Sequence, residues 1–235
     1  MISDPLHADD DMRRQGLHES AFEKCNHRGD NRSRPSRAKW KMCHALLSAW
    51  IMLAAALAQD PAPDPTLRVW LEPKSMRAPV TLPIVAAKRT EIAFGHLTPD
   101  GLEALAKGSP PATPGLFDQG RANAAADLAT LKPRYVRDRQ KVIQYAELRS
   151  DRPIVASAVL APKFLPLFRS TLGDTVLVVV PSRYVAYVFP QLVTNYQDYY
   201  PMVFEAYRES AFPVSVEVFA FSKEGIRAVG VYERP

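Results

Sequence analysis

The chain has 235 residues, 47% of them hydrophobic, with 30 Lys and Arg against 25 Asp and Glu for a net charge of +5. That length suits one domain or two small ones with an adequate core, and charge this nearly balanced argues against a nucleic-acid partner, which needs a concentrated basic face. The only cysteines are Cys25 and Cys43, too few for a small disulfide-stapled scaffold.

Residues 1–41 mix Asp, Arg, His and Ser without an apolar period and read as a disordered leader, with Met42 as an alternative initiator. Ala45 to Ala58 is a run of fourteen uncharged residues. It follows Lys39-Trp40-Lys41 and closes on the small-x-small triplet Ala56-Leu57-Ala58, so residues 42–58 read as a cleavable export signal. A membrane-spanning helix needs about 20 apolar residues, and here prolines follow instead, so no stable membrane span is expected after cleavage. A cut after Ala58 leaves 177 residues with no thiol and His96 as the sole imidazole, carrying 21 Lys and Arg against 18 Asp and Glu. The expected location is the periplasm or the exterior of a bacterial cell.

A Pro-rich linker is expected over residues 59–66, with Asp60 to Pro65 extended, and a single α+β domain over 67–235. Leu67 to Leu71 alternates as a first strand; Pro79 to Ala87 and Thr90 to Phe94 follow as extended pieces, the prolines assigning the former to an edge. Thr98-Pro99-Asp100-Gly101 has the cap, proline and early acid of a helix start, predicting a helix that stops near Gly108. A loop over Ser109 to Gly115 leads to a second helix, Leu116 to Leu131, in which Ala124, Leu128 and Leu131 recur at helical spacing. Lys132 to Lys141 is basic but holds Asp138, and reads as a solvated strand or turn. Lys141 to Leu148 and Ile154 to Val159 are predicted as a hairpin. Ala161 to Leu172 presents Phe164, Leu165, Phe168 and Leu172 on one face and ends at Gly173, as a glycine-capped helix does.

Val176 to Val180 is apolar on both faces and reads as a central strand covered on both sides. Tyr184 to Phe189 is the next strand. A helix from Asp198 to Ser210 tolerates Pro201 in its first turn, and a hairpin of Val214 to Phe221 and Ile226 to Tyr232 turns through Ser222-Lys223-Glu224-Gly225. The sum is an α+β fold with a mainly antiparallel sheet packed against about four helices.

The chemistry this leaves is narrow. Without a thiol the mature chain has no cysteine nucleophile, thiolate zinc site or dithiol pair. No serine sits in a Gly-x-Ser-x-Gly context, no glycine-rich phosphate loop occurs, and no compact set of calcium-ligand carboxylates is found. No catalytic residue, metal or cofactor is therefore assigned, and the alternative of a hydrolase rests on carboxylates or on His96. Arg183, after the buried strand, is placed either to receive an anion or to pair with a nearby carboxylate. Between Tyr184 and Phe221 fall six tyrosines and five phenylalanines. Tyr196, Tyr199, Tyr200, Phe204 and Tyr207 exceed what one inward helical stripe needs, so with Arg183 the tyrosines Tyr196, Tyr199, Tyr200 and Tyr207 are the candidate binding residues for a protein, peptide or glycan.

Ala122-Asn123-Ala124-Ala125-Ala126-Asp127-Leu128, Ala156-Ser157-Ala158-Val159-Leu160, and Gly173-Asp174 followed by Val176 to Arg183 together resemble the bacterial YtpQ-like group of uncharacterised domains. The resemblance spans roughly Thr98 to Tyr232. Asp127 stands where that group has Asn, and Tyr184 where it has Asp after the arginine. The resemblance implies a fold and no reaction. The resulting expectation is an exported, non-catalytic binding or envelope-associated domain.

Overall fold

The computed structural model describes residues 64–193 and 195–233. The expected leader and export signal, both cysteines and the expected linker up to residue 63 lie outside the described residues. The last linker residues, Asp64 to Thr66, form a turn in which Asp64 Oδ1 accepts from the Thr66 amide at 2.8 Å and its hydroxyl at 2.7 Å.

Among the described residues, two antiparallel sheets and four α-helices make up the fold. The first sheet holds β1 (Leu67–Pro73), β2 (Thr81–Pro83), β3 (Thr90–Thr98) and β4 (Gly101–Ala104). β1 pairs along one side of β3, while β2 and β4 follow one another along the other side. The second sheet runs β10-β9-β7-β8-β6-β5. Its strands are β5 (Arg134–Arg137), β6 (Ile143–Arg149), β7 (Val176–Ser182), β8 (Val185–Pro190), β9 (Glu217–Ser222) and β10 (Gly225–Val231). The helices are α1 (Pro114–Thr130), α2 (Val155–Ala158), α3 (Phe164–Leu172) and α4 (Tyr200–Arg208).

β7 explains how the layers assemble. Successive side chains of a strand point to opposite faces, and here Val176, Val178 and Val180 enter a large core with Trp70, Phe94, Phe164 and Phe219, while Val179 enters a smaller one with Tyr187, Phe189, Val203 and Tyr232. The strand is covered on both faces, as its uninterrupted valines require. α4 lies over the smaller core and buries Val203 there.

Helix α1 begins where its sequence says it should: the Thr113 hydroxyl accepts from the Leu116 amide at 3.2 Å and Pro114 opens the first turn. It lies close on β1 because Gly120 has no side chain; a Cβ there would meet Val69 and the Arg68 backbone. That contact is locked by a buried ion pair, Arg68 Nε to Asp127 Oδ2 at 2.7 Å.

Two predicted elements change type. The helix expected from Thr98 to Gly108 is instead the β3–β4 hairpin, with Thr98 opposite Gly101 and Leu97 opposite Leu102. Thr-Pro-Asp-Gly serves a tight turn as well as a helix cap, Gly101 adopts φ +134°, and the free edge of β3 supplies pairing that an isolated short helix would lack. The strand expected from Ile154 to Val159 is instead the short helix α2, buried throughout. A short run that is apolar on all sides carries no period to separate the two states. β6 therefore pairs with β5 and β8, through a turn in which Asp138 accepts from the amides of Gln140 and Val142. The basic run Lys132 to Lys141 is this edge strand and turn.

Candidate functional site

Helix α4 carries aromatic side chains at Tyr200, Phe204 and Tyr207, spaced i, i+4, i+7 and hence along one flank. Val203 points to the smaller core, and the aromatic flank overhangs a groove of about 770 Å³. The opposite wall comes from two turns that precede and follow β2: Lys74 and Ser75 after β1, and Lys88 and Arg89 before β3. Val214 to Val216 and Tyr232 form the floor, and Glu233 contributes one acid. Tyr200 and Phe204 stack with ring centres 5.2 Å apart and planes 16° apart, and Phe204 remains 38% exposed.

The two turns are held from behind. Glu217, buried at the start of β9, accepts from the Lys88 amide at 2.8 Å, the Arg89 amide at 3.2 Å and the Thr90 hydroxyl at 2.7 Å. The Lys74 amide donates to Arg89 O at 2.8 Å, and Lys74 Nζ to Ala87 O at 2.9 Å. Ala86 in the second turn sits at φ +62°, a left-handed conformation that costs a residue with a Cβ about 1 kcal/mol. Backbone amides and the Thr90 hydroxyl thus satisfy the buried carboxylate, and among the described residues Lys74, Lys88 and Arg89 make no ion pair with a side chain. Tyr232 is 3% exposed and its hydroxyl has no hydrogen-bond partner among the described residues. Burial pushes its phenol well above the usual tyrosine range.

On the other flank of α4, Met202, Glu205, Ala206 and Glu209 face Arg134, Glu147 and Arg149 across a second, polar groove of about 710 Å³. Glu147 is buried and bonded by Arg134 and by Arg149, the latter at 2.9 Å. Burial works to raise its carboxyl, but hydrogen bonds from Arg134 and then Arg149 outweigh this and hold it below the usual glutamate range. The neighbouring Tyr187 is pushed up to about 12, chiefly by burial and then by the charge of Glu147.

The structure divides the tyrosines singled out in the sequence. Tyr200 and Tyr207 line the aromatic groove. Tyr199 turns away, packs among Tyr145 and Phe189, and lies 3.2 Å from Gln144 Oε1 through its hydroxyl. Tyr196 sets its ring edge-on to Tyr232, 5.5 Å between centres, and closes against Gly230. Arg183 lies elsewhere and is engaged there: Nη2 reaches both oxygens of Glu72 at 2.9 Å, Nη1 reaches Leu102 O at 3.1 Å, and the guanidinium carbon lies 5.6 Å from the Trp70 ring centre and 5.3 Å from that of Phe212. Trp70 Nε1 donates to the same Glu72 at 2.6 Å. This cluster ties the first sheet to the second.

His96 is half-buried on β3, with Nδ1 3.0 Å from the Thr66 hydroxyl and 3.2 Å from Asp64 Oδ2. Both contacts use one ring nitrogen, whereas a relay to a nucleophile uses the two nitrogens in opposite roles. Among the described residues, no group of His, Cys, Asp and Glu is arranged to hold a metal ion, and no helix is long and apolar enough to cross a membrane.

Sequence reasoning missed Lys74, Lys88, Arg89 and Tyr232. The first three stand at turns flanking a three-residue strand, with no periodic signal, and Tyr232 reads as the end of a hairpin. The spacing of Tyr200, Phe204 and Tyr207 was the one local sign of the groove. The chain matches no protein-family model, no curated protein and no solved structure.

Proposed function

We propose that the chain is an exported, non-catalytic α+β domain of the periplasm or cell exterior that binds a protein, peptide or glycan partner through the aromatic flank of α4. The observation that carries this reading is the groove of half-buried aromatics faced by three cations that no side chain among the described residues pairs in a salt bridge. An aromatic residue offers a large apolar face at small entropic cost, and a tyrosine adds a polar tip, which together suit a partly wet binding surface. Membership of the YtpQ-like domains belongs to the same reading and adds no activity to it.

Two measurements test it. N-terminal sequencing of the protein recovered outside the cytoplasm is expected to start at or near Gln59; an intact first forty residues on a cytosolic product would overturn the export. An array of glycans and peptides probed with the purified protein is expected to give ligands whose binding weakens in Tyr207→Ala. Binding indifferent to that change would remove the groove from the reading.

A further inference from the structure

The groove on the aromatic flank of α4 combines three features that together narrow its ligand. The first is charge. Lys88 and Arg89 are exposed and adjacent, and Lys74 stands across the cross-tied turns from them, against the single acid Glu233 on the groove's rim. Glu217 takes the amides of Lys88 and Arg89 and leaves their side chains to the solvent. The ligand should therefore carry negative charge.

The second is that main-chain donors along the groove are already used within the fold. Val214 and Ser215 donate their amides to Pro181 O and Val180 O, Tyr232 donates to Val216 O, and Lys74 donates to Arg89 O. An extended peptide docked as an added strand draws its affinity from such main-chain groups, and here these donors are spent. Recognition falls to side chains. The third is the aromatic pair. Tyr200 and Phe204 stack ring on ring, covering each other's facing sides, and Phe204 remains partly bare, so its uncovered side is a flat apolar surface of the kind that the C–H face of a sugar ring covers. Hydroxyls add to the lining: Ser75 and Tyr207 stand around the groove.

We propose that this groove binds an acidic polysaccharide, a chain of carboxylated sugars, with a sugar ring on Phe204, which Tyr200 backs, and its carboxylates on Lys88, Arg89 and Lys74. The inference rests on the binding reading above and names the ligand class of the same site. Volume agrees with it: about 770 Å³ lies within the range of sites for small ligands and holds a few sugar rings.

Titration calorimetry on the purified protein tests it with polygalacturonate, with the same polymer fully methyl-esterified and so neutral, and with poly-glutamate of similar length. Polygalacturonate is expected to bind, with affinity falling as salt is raised. Phe204→Ala and the double change Lys88→Ser, Arg89→Ser are each expected to weaken it about tenfold or more, while the ester and poly-glutamate bind at least about tenfold more weakly. Poly-glutamate binding as well as polygalacturonate, with Phe204→Ala silent, would reduce the groove to a charge patch and overturn the proposal. Binding of the neutral ester undiminished would overturn the role of the cations. A neutral glycan or peptide ligand lost in Tyr207→Ala, with no polygalacturonate binding, would sink the acidic-sugar inference and leave the binding domain standing. No response to any ligand would end both.

Discussion

The two flanks of helix α4 each contain a buried glutamate, and the two are satisfied in different ways. Glu147, on the polar flank, is met by the guanidiniums of Arg134 and Arg149, so charge cancels charge within the fold. Glu217, beside the aromatic flank, is met by the amides of Lys88 and Arg89 and by the Thr90 hydroxyl. Main-chain donors carry no net charge to spend. A carboxylate held by amides can fix a turn while leaving the cations of that turn available, and one held by arginines consumes them. A third buried acid, Glu72, belongs to the first kind of pairing, with Arg183 as its cation.

The largest effect expected from this contrast is at Arg183. Arg183→Met removes the partner of a buried carboxylate and should cost about 3–5 kcal/mol, read as a fall in the urea midpoint. A loss below about 1 kcal/mol would show that Glu72 finds other partners. Next comes Glu217→Ala, which strands the amides of Lys88 and Arg89 behind the groove; about 2 kcal/mol is expected, with hydrogen exchange of the Lys88 and Arg89 amides accelerated. Unchanged exchange there would break the view that Glu217 fixes the turn.

Glu147→Gln should cost less, about 1 kcal/mol, since both arginines remain well exposed and regain water. Its signature is in pH. The folded carboxyl lies below its ordinary value, so its contribution is present above the unfolded pKa of about 4.3 and is lost as pH falls through the folded value. The wild type should therefore lose stability between about pH 5 and 3 more steeply than Glu147→Gln, and equal slopes would show that the arginines do not favour the charged form. The smallest effect is at the groove: Lys88→Ser with Arg89→Ser should leave stability within about 0.5 kcal/mol, because only backbone atoms of these residues are used inside the fold. A larger loss would mean their side chains hold structure after all.

Sequence was most informative where one physical cause acts locally. The valine run of β7, the Thr113-Pro114 start of α1, the Gly173 stop of α3 and the final hairpin each carry their own signal, and each stands in the structure close to its expected bounds. It was least informative where two states share the same local code. Thr98-Pro99-Asp100-Gly101 suits a helix cap and a tight turn equally, and Ile154 to Val159 is apolar on every side, so the edge of β3 and the enclosing core made the choice.

By itself the sequence determined the α+β class, through the alternation of its short strands and the spacing of its helices, and it located the aromatic density around α4, because periodicity and composition are properties of neighbouring residues. Only the tertiary structure decided which tyrosines share a groove, that Arg183 is spent on Glu72, and that Lys74, Lys88 and Arg89 face Tyr200 and Phe204. These residues lie more than a hundred positions apart in the chain, and the contact that sets the turn, Glu217 with the amides of Lys88 and Arg89, uses main-chain groups that every residue possesses. No side-chain pattern can announce such a bond before the strands that bring it together have paired.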